Sequence, residues 1–443
     1  MLRFQRVFNN LQGGLWFVPS LVVALLIGLA YLMVWLDRTV GNSVAANLPL
    51  VFEAGPEGTR DMLSTIAGSM LTVASVAFSF TIVVFSFASS QYASRTLHSF
   101  MDDNTNQIVL GTLLGSFVYC LLILRTTRIE NDQDFVPVLS ATFALLLAIV
   151  DLMLFILFIH HVSESIQAYH IINRVGQATN KAIIGLYPEH MQRRDAQDDS
   201  DERVAAFEMS EVLAGQSGYI QMVYGRQLLD MAVRHDLVVV LHKSVGNFVL
   251  KNELLATVGP ADRVSDDLVR QIRDAFASGP HRTIYQDPLY GMLQLSDIAI
   301  KALSPAINDP NTAVMALNEM SLVLRQLAAR ELPRHVLLDK NGQARIIAPV
   351  LTFDAMAAHA FDQVRRYGMG DATIPAKMLD VIAEIAERCD LPGQRAVLKE
   401  HVKAIMRDAD RHIENERDRA QINAEMADVV GALGIHEGEI SLL

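Results

Sequence analysis

The sequence predicts a mainly α membrane protein: a four-helix transmembrane bundle followed by a cytosolic α+β region, itself a small β-rich module plus a helical bundle. Three observations predict it. Four long apolar runs fill residues 15–159. A charged linker follows them. Beyond it, β-branched runs broken by glycine give way to amphipathic, helix-periodic sequence. Composition agrees. The 443 residues are 51% hydrophobic and only 19% charged, and mean hydropathy is +0.26. That is too apolar for an ordinary soluble chain of this length. A net charge of −12 argues against a nucleic-acid partner. The two cysteines, Cys120 and Cys389, are far apart and give no disulfide framework.

The predicted organisation is a transmembrane domain at 1–165, with helices at about 15–36, 62–88, 108–124 and 137–159. A connecting helix and polar linker follow at 166–205, then the β-rich module at 206–260 and a mostly helical domain at 261–443. A span of the bilayer core needs about 20 apolar residues, and lipid leaves the backbone no partner but its own helix. Trp16, Phe17 and Trp35 mark the two ends of the first run, as interfacial aromatics do. That run is longer than the roughly 7–15 residues of a signal-peptide core. Arg3 and Arg6 before the first run, and Arg174, Lys181, Arg193 and Arg194 after the fourth, favour cytoplasmic termini. Arg38, Arg60, Arg125 and Arg128 count the other way. The expected location is the bacterial inner membrane.

The second run carries Ser64, Gly68, Thr72, Ser75, Ser79, Ser86 and Ser90 at helical spacing, so they form one small, polar stripe. Small residues let helices pack closely, and hydroxyls also line water-filled paths. Both readings turn this helix toward protein rather than lipid. Asp151 is the one acid within the fourth run. It is either a buried hydrogen-bonded carboxyl or an ion or proton site. The fourth run ends in FIHHVSESIQ, where His160, His161 and Glu164 share a helix face. Two ligands do not make a metal site, and a polar cap at the membrane interface accounts for them. The histidines also suit pH sensing.

In the soluble half, strands are expected at Tyr219–Val223, Leu237–His242 and Asn247–Val258, with a helix at Arg226–Arg234. VGNFVLKNELLATV resembles the hairpin of a lipoyl- or biotin-carrier domain. Lys251 falls near the turn where such carriers hold their modified lysine. Its neighbours Leu250 and Asn252 are not the methionines of that motif, so a structural hairpin is expected. Helices are expected at Asp266–Ala277, Gly291–Leu303, Thr312–Ala329, Phe353–Tyr367, Ala376–Arg388 and Gln394–Glu414, with a hairpin around Asn341-Gly342. No phosphate-cradling or nucleophile motif occurs. No catalytic constellation, metal set or cofactor emerges from spacing.

The stretch ALSPAINDPNTA is stiff. Pro305 ends one helix, Asp309 sits where an N-cap belongs, and Pro310 takes the first helical position. Asp287-Pro288 repeats the pattern. A rigid corner is one reading. A cytosolic pocket using Asp287, Asn308 and Asp309 is the other.

Several segments together carry a resemblance. They are Phe85–Thr126, FIHHVSESIQ, SGYIQ and QDPLYGMLQLSDIAIKALSPAINDP. The chain resembles the bacterial membrane-protein family catalogued as domain of unknown function 2254, over nearly its whole length. The resemblance implies an integral membrane protein with a cytosolic C-terminal region, and no assigned activity. Three functions remain open. One is a homo-oligomeric pore in the lipid bilayer with a cytosolic regulatory domain. Another is a membrane-anchored sensor or scaffold whose soluble part binds a small molecule or protein. An enzyme of unfamiliar type is the third.

Overall fold

A computed structural model describes residues 16–45, 55–91, 104–127, 136–187, 208–330, 336–436 and 440–443. The arginines expected to set orientation at positions 3, 6, 128, 193 and 194 lie outside these residues, as do the charged linker and the side chain of Ser90. The chain divides into two compact units, 1–170 and 171–443.

In the first unit, four helices are long and apolar enough to cross a membrane. They are α1 (Phe17–Ala45), α2 (Pro56–Gln91), α3 (Asn104–Thr126) and α4 (Val138–Ser165). At 1.5 Å per residue, α2 runs about 54 Å, well beyond a bilayer core of about 30 Å. The helices are not equivalent. Half of the α3 span is buried within the unit, against 17–22% of the others. α3 is therefore the central helix, and it packs on α1, α2 and α4. Leu113, Tyr119 and Ile123 on it are wholly buried.

Two glycines one turn apart explain the centrality of α3. A Cβ placed on Gly111 would stand 2.8 Å from the Pro19 Cα of α1, and one on Gly115 2.4 Å from Leu26 Cδ1. Only a bare glycine surface lets the α1 backbone approach so closely, as in small-xxx-small helix pairs generally.

A second device locks the end of the bundle. The residue before α4 is Pro137, which offers no side-chain cap. Asp37 of α1 supplies one from another helix. Its Oδ1 accepts from the Leu139 N–H at 2.8 Å and its Oδ2 from the Ser140 N–H at 3.0 Å. The Ser140 hydroxyl also donates to Oδ2. Tyr119 Oη of α3 donates to the Ser140 carbonyl at 3.1 Å, so three helices meet at one residue. Neither the glycine pair nor Asp37 figured in the sequence reading. GTLLG at 111–115 was the available signal for the first, and the lone acid ending the first apolar run for the second.

The second unit opens with α5 (Ala168–Leu186), whose first residues fall on the first-unit side of the division. β1 (Ser210–Leu213), β2 (Gly218–Val223), α6 (Gly225–Arg234), β3 (Val238–Leu241), β4 (Phe248–Val249) and β5 (Leu254–Gly259) follow. Then come α7 (Asp266–Asp274), β6 (Phe276–Gly279), α8 (Pro288–Ala302), α9 (Pro310–Ala328), β7 (Val336–Leu338) and β8 (Ala344–Ile347). Four more helices close the chain: α10 (Phe353–Gly368), α11 (Thr373–Ala386), α12 (Pro392–His412) and α13 (Glu416–Leu433). The strands form a five-stranded sheet, β1-β5-β3-β8-β7, and a three-stranded sheet, β4-β2-β6. All pairs are antiparallel except β3 with β8. Both sheets share one core with α6 and α7, built around Ile220, Leu228, Val239, Ile272 and Ile346.

Three expectations need correction. The β structure is not confined to 206–260, because β6, β7 and β8 complete its sheets. Asn247–Val258 is not a hairpin. β4 joins the three-stranded sheet and β5 the five-stranded one, so the chain crosses between sheets at Lys251. Asn252 turns it there with φ 67°, and Asn252 N–H donates to the Ala214 carbonyl at 2.8 Å. Lys251 is exposed on this crossing. The helix expected to reach Ala277 stops at Asp274, since Phe276–Gly279 pairs with β2. The Asn341-Gly342 turn does join an antiparallel pair, with Gly342 at φ 79°.

Gly111→Ala should destabilise the bundle by about 1–3 kcal/mol, because the obstacle is backbone and cannot rotate away. Asp37→Ala should cost about 1–2 kcal/mol and Asp37→Asn much less, since Asn still accepts at a helix start. Thermal unfolding in detergent measures both.

Candidate functional site

The polar stripe of α2 does not pack inside the unit. Leu63, Ala67, Met70, Ala74, Ala77 and Val84 form the buried seam of α2, at alternating steps of four and three up to Ala77 and then two turns on to Val84. Ser64, Gly68, Thr72, Ser75, Ser79 and Ser86 lie on the exposed side. The expectation that the stripe faces protein is therefore not met within the first unit. The reason is that alanines already provide the close contact with α3. A shallow groove of about 450 Å³ runs along the stripe, lined by Thr72, Ser75, Val76, Ser79, Phe80 and Val83. The Thr72 hydroxyl donates to the Gly68 carbonyl at 2.9 Å and that of Ser75 to the Leu71 carbonyl at 2.8 Å. A hydroxyl so engaged keeps its acceptor lone pairs directed outward.

Asp151 is wholly buried on the inward face of α4. Ser116 and Cys120, one turn apart on α3, are its neighbours. Neither Asp151 oxygen nor Ser116 Oγ closes a hydrogen bond of ordinary geometry among the described residues. Asp151 is thus enclosed by protein and not turned to the groove on α2. At the end of α4, His160 Nε2 stands 3.4 Å from Glu164 Oε1, both well exposed. No cluster of three or more metal-binding side chains occurs among the described residues.

In the second unit the two Asp-Pro corners are built alike. Asp309 caps α9: Oδ1 accepts from Thr312 N–H at 3.1 Å and Oδ2 from the Thr312 hydroxyl at 2.6 Å. Asp287 caps α8, with Oδ1 accepting from Tyr290 N–H at 3.1 Å. Its Oδ2 accepts from Arg282 at 2.9 Å and 2.7 Å, and the Arg282 guanidinium lies over the Tyr290 ring at 4.9 Å. Burial pushes the Asp287 carboxyl up from its ordinary range, while Arg282 and the Tyr290 N–H pull it back. Asn308 is exposed and left-handed, with φ 50°. Its N–H donates to the Ser304 carbonyl at 2.9 Å and that of Asp309 to the Ala302 carbonyl at 2.8 Å. The corner is tied to its own backbone.

A cavity of about 450 Å³ lies within this unit. Asp287 lines it, but Asn308 and Asp309 do not. The expected trio is therefore not one pocket. The walls are apolar, with Val223, Leu228, Leu241, Leu289, Ile346 and Leu351 among them. Tyr187, Gly225 and Lys243 add polar groups. Tyr187 is 6% exposed, and burial, with the Asp287 charge second, pushes its phenol up to about 12. Lys243 pairs with Glu253 at 2.6 Å. The sequence reading missed these three. They come from the end of α5, the start of α6 and the segment after β3, and no spacing rule links such positions.

The family profile described as predicted membrane protein DUF2254 matches residues 12–384. The chain belongs to this family. It is 30% identical over 426 residues to the uncharacterised protein Mb1321c of Mycobacterium bovis and equally to the uncharacterised protein Rv1290c of Mycobacterium tuberculosis. Each alignment covers 95% of this chain and 81% of the relative. No solved structure matches.

Asn308 should tolerate glycine with little change in stability, because glycine enters the left-handed region freely. Asn308→Val should cost about 1–2 kcal/mol, and Asp309→Ala about 1 kcal/mol through the lost cap. Thermal unfolding of the three variants checks the corner as a backbone device.

Proposed function

We propose that this DUF2254 protein works as a homo-oligomer in the bacterial plasma membrane. Copies of α2 turn their hydroxyl stripes toward a shared axis and line a path for an ion or small polar solute. Both termini and the second unit lie on the cytoplasmic side. One observation carries the reading. The stripe faces outward from a subunit whose own centre is filled by α3. A path through one subunit has no room, whereas a ring of subunits brings six small or hydroxyl-bearing positions together on its axis. Outward acceptor oxygens at Thr72 and Ser75 then replace part of a cation's hydration shell.

The second reading is a membrane-anchored sensor or scaffold, and the cavity of the second unit favours it. Purification with one defined partner, together with no flux, would select it over the pore.

The test uses the full chain in liposomes. Ser75→Cys should give cross-linked oligomers with a short bis-maleimide, since Cys120 and Cys389 are buried and contribute little background. Ser75→Leu with Ser79→Leu should lower ion flux at least about tenfold if dewetting closes the path. Undiminished flux in that double variant would remove α2 as the lining.

A further inference from the structure

The cavity of the second unit lies where three helices begin. α6 starts at Gly225, α8 at Pro288 and α10 just after Thr352, and all three positions line the cavity. Helix starts concentrate partial positive charge and unsatisfied N–H donors. Two of them are already answered. Asp287 caps α8, and Thr352 Oγ1 accepts from Ala355 N–H at 3.1 Å to cap α10. α6 is not. Tyr224 precedes it and gives no side-chain cap. The first intrahelical bond runs from Leu228 N–H to the Tyr224 carbonyl at 3.0 Å. The N–H groups of Gly225, Arg226 and Gln227 have no acceptor among the described residues. A Cβ built on Gly225 meets nothing within 4 Å, and of the three only Gly225 lines the cavity, so the approach is open at its N–H.

A second observation is independent of the helix. Tyr187 is 94% buried by its 6% exposure, lines the same cavity, and its hydroxyl bonds no described residue. Its hydroxyl oxygen is not fully enclosed, so it is reached from the cavity and is open to an acceptor there. Lys243 adds a cation on the wall, with one of its three N–H donors on Glu253. The carboxylate of Asp287 is balanced by Arg282. The remaining surface is aliphatic, and the volume falls within the size range of small-molecule sites.

We propose that this cavity is a ligand site for a small organic carboxylate with an apolar body. The carboxylate accepts from the Gly225 N–H at the start of α6, from Lys243 Nζ and from Tyr187 Oη. The aliphatic or aromatic remainder fills the space beside Leu228, Leu241 and Ile346. The site rests on the second reading above and not on the pore, so a negative flux result leaves it standing. Sugars and nucleotides do not fit, because the walls offer their hydroxyls and bases few partners.

The test titrates phenylacetate and octanoate into the full-length protein in lipid nanodiscs by calorimetry, with empty nanodiscs subtracted. Benzyl alcohol and benzylammonium are the neutral and cationic controls. At least one of the two acids should bind saturably at one site per chain, and both controls at least about tenfold more weakly. Gly225→Pro deletes one donor at the first helical position, where proline is well tolerated. It should weaken carboxylate binding about tenfold while leaving thermal unfolding unchanged, as should Lys243→Met. Val245→Trp should abolish binding by filling the cavity. Equal binding of acid and controls, carboxylate affinity unmoved by both Gly225→Pro and Lys243→Met, or no saturable binding of either acid would each overturn the proposal.

Discussion

The membrane bundle depends on how near α1 can come to α3. At Gly111 the backbone of one helix rests almost directly on the other, with Pro19 Cα where a side chain would begin. That contact draws α3 to the middle and leaves α2 on the flank. The Asp37 cap then fixes the start of α4 to α1. Because α2 already packs through an alanine seam, its serines and threonines are free of internal packing duty. A hydroxyl stripe facing hydrocarbon gains little there, whereas against a second copy or water it gains partners. The proposed oligomer thus follows from a glycine pair on a different helix.

The second unit uses helix starts in two ways. At α8, α9 and α10 an Asp or Thr side chain answers the first-turn donors. These starts are closed, and the two Asp-Pro corners with them. At α6 no side chain caps the start, and Gly225 lines a cavity. At the cavity, an aromatic Tyr224 stands where a capping oxygen would otherwise close the helix start.

Much of the fold was legible because it rests on local rules. The apolar runs, the Asp309-Pro310 helix start and the Asn341-Gly342 turn each depend on residues near one another in sequence. What escaped depends on distant pairing. The helix expected from Asp266 takes in Phe276 and Ala277 of β6, because nothing in FASG announces its partner β2 about 60 positions earlier. α13 is not legible although Ile422, Met426, Val429 and Leu433 mark its buried face, because it opens on the charged run Glu416–Arg419. At the candidate sites, the stripe's membership was legible and its direction was not. Periodicity groups residues on one side of a helix. It does not say which side meets a neighbour when two sides are small. Asp287, Asn308 and Asp309 were grouped by shared chemistry, and only Asp287 reaches the cavity.

The parallel pairing of β3 with β8 has a consequence for synthesis of the chain. β3 is made by residue 241, and its partner not until residues 344–347. Through all of α7, α8 and α9, the nascent sheet therefore carries an unprotected edge of consecutive valines. Such an edge invites pairing with another nascent chain. Ribosomes working side by side on one messenger would hold several such edges near one membrane. The hazard is greatest there, and it ends only when the turn at Gly342 brings β8 home.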